Sequence, residues 1–138
     1  MTTRTTVAMG AVGAVPLLVL LAAPLLAHHV LVAQFSMNKP VSLRGTLTKM
    51  EWINPHGWIY LSVKGADGQV EEWAIETGSP FSMAKRGLKR TDFTPGIELI
   101  VSGYTARDGT RTAAGMVVTF LDREMKTPGR ESSFTLGR

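Results

Sequence analysis

"PVSLRGTLTKMEWI", Pro40 to Ile53, is the stretch that decides the fold. Val41, Leu43 and Leu47 recur at one parity, the period-two pattern of a half-buried strand. The phase then slips, because Met50 and Trp52 fall on the other parity. Gly45 lies just before the slip and suits a bulge or a sharp bend. The stretch therefore reads as one long strand that bends partway along.

The strand ends at "NPHG", Asn54 to Gly57, where Pro55 biases Asn54 away from helix and Asn and Gly favour a turn. "WIYLSVK" (Trp58–Lys64) is a second strand, rich in aromatic and β-branched residues. Asp67-Gly68 marks a hairpin turn. "VEEWAIET" (Val70–Thr77) is the third strand, with Glu71, Trp73 and Ile75 on one face and Glu72, Ala74 and Glu76 on the other. The signals then turn helical. Ser79 is placed as an N-cap, Pro80 at the first helical position, Lys85 and Arg86 in the last turn, and Gly87 as the C-cap. A turn at Thr94–Gly96 leads into a fourth strand, Ile97–Ala106, with Ile97, Leu99 and Val101 facing inward. The Asp-Gly turn at Arg107–Thr110 leads into a fifth, Ala113–Leu121.

Three strands, a short helix, then two strands, with a long bent first strand, predict an all-β fold with small α content. The expected architecture is a five-stranded OB-like Greek-key barrel with the helix between strands 3 and 4. An SH3-like barrel and an open meander are the alternatives. The expected organisation is a leader over 1–27, an N-terminal arm over 28–39, the barrel over 40–122 and a disordered tail over 123–138. The tail is expected to be disordered because it is polar, with Pro128, Gly129 and Gly137 and no apolar period.

Upstream, Arg4 is the only charge before the apolar run Val7–Ala27. A basic start, an apolar middle and a small residue at the exit describe a secretory signal peptide cleaved after Ala27. An uncleaved inner-membrane anchor is the rival, since roughly 20 apolar residues cross a hydrocarbon core, although Pro16, Pro24, Gly10 and Gly13 weaken it as a spanning helix. Both readings put the rest of the chain in the periplasm, and the membrane is a partner only through an uncleaved leader. The chain has no cysteine, which removes disulfides, thiolate metal sites and a cysteine nucleophile. A formal charge of +4, with no long run of like charge, gives no sign of a nucleic-acid arm.

All three histidines sit at two places: His28 and His29 at the end of the leader, and His56 in the "NPHG" loop. Cleavage after Ala27 would give His28 a free α-amine beside its imidazole, a chelate that suits Cu(II) among the common divalent ions. His56 would add a third nitrogen if the arm folds back onto the first loop, with Phe35, an isolated apolar residue, pinning it there. The bland reading makes the pair a spacer and His56 a turn residue. Other candidates are weaker. Glu51, Glu71, Glu72 and Glu76 read first as a solvated strand face, Glu76 being the best placed of the four. Lys85, Arg86, Lys89 and Arg90 read first as helix-end complementation. Trp52, Trp58 and Tyr60 flank the loop and could stack on a ligand, though strand aromatics are usually core. No phosphate loop and no Ser–His–Asp spacing stands out.

The motifs "AHH", "NKPV.L.GT.TK.EW.NPH.WIYL.V", "DG…EWA.E.GSP" and "PG….V.GY.A.DG" resemble a family of small exported bacterial proteins, domain-of-unknown-function family number 6152. The resemblance covers residues 27–121. It implies an exported β-rich domain and points to His28, His29, Trp52, Asn54, Pro55, His56, Glu76, Gly78, Ser79 and Pro80 as motif positions. Members of that family usually continue the His pair with Ser-Phe and carry Asp after the later Phe, where this chain has Val30, Leu31 and Ser36. An acid near the N-terminus is therefore missing. The expectation is a non-enzymatic periplasmic binding or accessory protein, with copper the expected metal at His28, His29 and His56. The alternative is an interaction module that holds a small ligand, peptide, glycan or envelope protein through Trp58, Tyr60 and the Arg107–Thr110 loop, with Trp52, Asn54 and Glu76 as further candidate positions.

Overall fold

The computed structural model describes residues 33–121 and 133–137. In chain order the elements are β1 (Phe35–Glu51), β2 (Trp58–Lys64), β3 (Val70–Glu76), helix α1 (Pro80–Lys85), a 3-10 turn (Arg90–Asp92), β4 (Glu98–Ala106), β5 (Thr112–Phe120) and β6 (Ser133–Thr135). The described residues are mostly β, with a short helix between β3 and β4. β1 pairs antiparallel with β2 through its second half and with β4 through its first. β2 pairs with β3 and β4 with β5, both antiparallel. A parallel pairing of Ala74–Glu76 with Thr112–Ala114 joins β3 to β5 and closes the ring into a barrel.

β1 bends as its pattern predicts. The bulge falls between Leu47 and Lys49, so Leu43 and Leu47 face the core before it and Met50 and Trp52 pack against the core after it. Gly45 is not the bulge. It pairs with Val63 on β2 and Leu99 on β4, and a Cβ there would lie 2.6 Å from the Ser62 carbonyl oxygen. Glycine lets β1 come close to β2 where it serves both neighbours.

The core fills the ring with Ile59, Leu61, Ile75, Leu99, Val101 and Val118, and α1 adds Met83 from one end. Trp73, on the same face of β3 as Ile75, is only half-buried. Its indole N–H donates to the Glu71 carboxylate at 3.1 Å, which holds the polar edge of the ring near the surface. α1 is capped as its sequence implies: Ser79 Oγ accepts from Ser82 N at 3.1 Å, Pro80 opens the helix, and Gly87 takes a positive φ of 87° just past it.

Two boundaries differ from expectation. The arm over 28–39 is not separate from the barrel, because β1 begins at Phe35, which is fully buried. The tail over 123–138 is not disordered throughout: β6 pairs with Val117–Thr119 of β5, and Leu136 is fully buried in the core. β3 leaves the sheet at Glu76, so β5 beyond Ala114 has lost its partner on that side. Buried backbone groups must find partners, and the tail supplies them. Leu136 N donates to the Met116 carbonyl at 2.8 Å, and Gly78 N donates to the Leu136 carbonyl at 2.9 Å. Gly78 permits the approach, since a Cβ there would sit 2.6 Å from the Leu136 carbonyl oxygen.

Candidate functional site

The first loop is tied to the end of β3 by two backbone bonds. Gly57 N donates to the Gly78 carbonyl at 3.1 Å, and Thr77 N donates to the Gly57 carbonyl at 2.9 Å. A side chain at position 57 would come within 2.7 Å of Thr77 Oγ1, so glycine is what brings the loop in this far. Asn54–Pro55 is a cis peptide. The loop holds His56 against Glu76, and His56 Nδ1 pairs with the Glu76 carboxylate.

Alternation along β3 turns Ile75 into the core and Glu76 to the outer face of the barrel. Glu76 is nevertheless only 6% exposed, whereas the His56 side chain is half-exposed. A buried carboxylate needs a partner, and the imidazole is one. Taking a proton on Nδ1 to serve the carboxylate leaves Nε2 as the lone-pair nitrogen of neutral His56, the arrangement by which carboxylates orient metal-binding histidines.

Register links this pair to the start of the barrel. Glu76 pairs across to Trp58 on β2 and to Ala114 on β5. Ala114 is buried in a small outer cluster with Phe35 and Ala106, against which Tyr104 packs. Arg107 fixes the chain there: its backbone N–H donates to the Gln34 carbonyl at 3.0 Å, and its Nε donates to the Phe35 carbonyl at 3.2 Å. Phe35 thus shares a cluster with Ala114, the β5 register partner of Glu76.

The remaining candidates separate. Trp58 is a register neighbour of both Glu76 and Glu51. Tyr60 donates through its hydroxyl to Glu51 at 3.2 Å, and Lys49 lies 5.2 Å from the Tyr60 ring centre while pairing with Glu51. Desolvation pushes the Tyr60 phenol up from its ordinary value, helped by the Glu51 charge. The hydrogen bond from Lys49 holds the Glu51 carboxyl down. Trp52 turns away from the loop to pack on Phe93, ring centres 6.1 Å apart. Asn54 is exposed. Glu71 is engaged by Arg111 at 3.0 Å as well as by Trp73, and Asp108 accepts from the backbone and hydroxyl of Thr110 at 3.0 and 2.7 Å. His28 and His29 lie outside the described residues. Among the described residues no group of three potential metal ligands comes together, and no helix is long and apolar enough to cross a membrane.

Sequence reasoning ranked Glu76 above the other glutamates but missed that His56 is its partner. The cue lay in two glycines, Gly57 beside His56 and Gly78 beside Thr77, which permit the two chain segments to touch. Comparison with curated proteins and with solved structures returns no match. A family model matches residues 15–116, well over half of the chain and including both members of the His56–Glu76 pair. The protein belongs to the family of unknown function DUF6152.

Proposed function

We propose that this is an exported, non-enzymatic binding or accessory protein that takes up copper through the mature N-terminus at His28, with His29 beside it, and through His56. The observation that carries the reading is the His56–Glu76 pair, an imidazole held by a buried carboxylate and half-open to solvent. The docking of Phe35 supports it. Six residues lie between His28 and Phe35, and the seven steps span at most about 25 Å when extended, a reach that favours a return to the loop beside Glu76, whose register partner Ala114 shares a cluster with Phe35. An amine and two imidazoles would offer Cu(II) the nitrogen donors it prefers. The rival module is less favoured, because Tyr60 and Arg107 of its proposed surface already hold Glu51 and Phe35.

The test is a Cu(II) titration, followed by absorption and paramagnetic resonance spectroscopy, on three forms. These are the chain beginning at His28, the same chain with one extra N-terminal Gly, and His56→Ala. The α-amine has a reference pKa of about 7.7–8.0, and copper displaces its proton, so affinity should rise with pH across about 5–8. A shared site predicts at least about tenfold weaker binding in both altered forms, equivalent to about 1.4 kcal/mol. Equal binding by the Gly-extended form refutes the N-terminal chelate. Wild-type affinity in His56→Ala removes the loop histidine from the site.

A further inference from the structure

The C-terminal segment closes the edge of β5, and it also reaches the loop that carries His56. The two members of the His56–Glu76 pair are not held alike. Glu76 is fixed by the sheet, with Trp58 of β2 on one side and Ala114 of β5 on the other. His56 lies between β1 and β2, outside the ladder. Its neighbour Gly57 ties it down, through one backbone bond from Thr77 N–H and one to the Gly78 carbonyl. Thr77 and Gly78 both lie past the end of β3, where β5 no longer pairs with it. What supports them there is the tail. Gly78 N–H donates to the Leu136 carbonyl at 2.9 Å, and Leu136 N–H donates to the Met116 carbonyl at 2.8 Å. Leu136 therefore stands between β5 and Gly78, in the place that a longer β3 would occupy. Its side chain is fully buried, and Phe134 packs on Phe120 with ring centres 5.9 Å apart. Apolar burial holds the segment, and its backbone delivers the bond. Gly78 has no side chain to anchor it and the widest backbone freedom, so it takes its direction from these bonds.

We propose that residues 133–137 clamp the candidate site, with Leu136 as a positioning residue for His56. The Leu136 carbonyl sets Gly78, Gly78 sets Gly57, and Gly57 holds His56 Nδ1 on the Glu76 carboxylate, which leaves the lone pair on Nε2. With the tail docked, the imidazole is ordered before any ligand arrives. With the tail released, the loop loses one of its two ties and a metal must order the ring as it binds, which weakens binding. The consequence for copper rests on the reading of the site proposed above; the clamp itself is measured on the metal-free protein.

The first measurement needs no variant. Native-state hydrogen exchange on the chain beginning at His28 reads the opening of single amides. The N–H groups of Leu136, Gly78 and Gly57 should be protected to within about tenfold of one another, because release of the tail releases the junction. Protection of Gly57 that differs from that of Leu136 by more than this, in either direction, overturns the clamp. The second measurement is the tautomer of metal-free His56, read from its imidazole nitrogen NMR shifts at about pH 8, above the ordinary histidine range. Wild type should show Nδ1 protonated and Nε2 bare. Leu136→Ala and the chain ending at Ser132 should show the averaged shifts of a free imidazole, and Leu136→Met should restore the wild-type signature. Val63→Ala, a core change at the far end of β2, should keep that signature while lowering the urea midpoint, which separates positioning from loss of stability. A wild-type signature in both altered tails, or an averaged one in wild type or Val63→Ala, overturns the clamp; if either altered tail fails to fold, the exchange result decides. Cu(II) titration of the same chains tests the other reading. Leu136→Ala should bind copper at least several-fold more weakly, and an unchanged affinity beside a lost tautomer signature would keep the clamp and refute His56 as a copper ligand.

Discussion

Replacing Leu136 by Ala asks whether the C-terminal segment is part of the barrel. Leu136 is fully buried, and its side chain lies against the face of Gly115 that also meets Ile75 and Val101. Burying a leucine contributes about 1.5–3 kcal/mol by transfer alone. Leu→Ala in a core that cannot collapse costs about 2.7–5.0 kcal/mol, because a cavity remains. Here the segment can leave instead of enclosing a void, so the loss is capped by the free energy of docking residues 133–137. The expected cost is therefore near the transfer value, about 2–3 kcal/mol. With an m-value of about 1–3 kcal/mol/M in urea, the midpoint should fall by about 0.7–3 M. Trp52, Trp58 and Trp73 report the barrel and none lies in the tail, so urea unfolding followed by tryptophan fluorescence reads the cooperative unit directly. A chain ending at Ser132 is the comparison. It should lose about as much as Leu136→Ala if the segment undocks as a whole, and more if the variant stays docked. A midpoint within about 0.3 M of wild type for both chains would mean that the segment is a passenger and that the core is closed without it.

Leu99→Ala, at the centre of the core, should cost roughly 2–5 kcal/mol; a thermal or urea midpoint equal to wild type would show that β4 presents its other face. Tyr60 should ionise above the ordinary phenol value of 10.0, because burial and the Glu51 charge favour its neutral form. A raised folded-state value means that its contribution to stability is full below the unfolded pKa and is lost as pH rises through the folded one. The difference between the alkaline ultraviolet titrations of wild type and Tyr60→Phe isolates this group, and a midpoint at or below 10 would contradict the burial.

Local chemistry in the sequence is sufficient for most of the elements. β2 has the bounds its β-rich run suggests, and α1 has its Ser cap, its opening Pro and its closing Gly where their backbone preferences put them. The phase slip from Leu47 to Met50 reports the bulge in β1, since side chains alternate strictly until an extra residue is inserted. Three features depend on contacts between distant segments and have no local signature. The parallel pairing of β3 with β5 closes the ring, although the two strands are separated by α1 and β4. β6 is a strand only because β3 abandons the edge of β5; its cue, Phe134 and Leu136 two residues apart, is too short to stand out in a polar tail. His56 reads as a turn residue until the tertiary fold sets Glu76 against it. A buried carboxylate changes what an imidazole can do, and burial belongs to the packed barrel and not to any one stretch of chain.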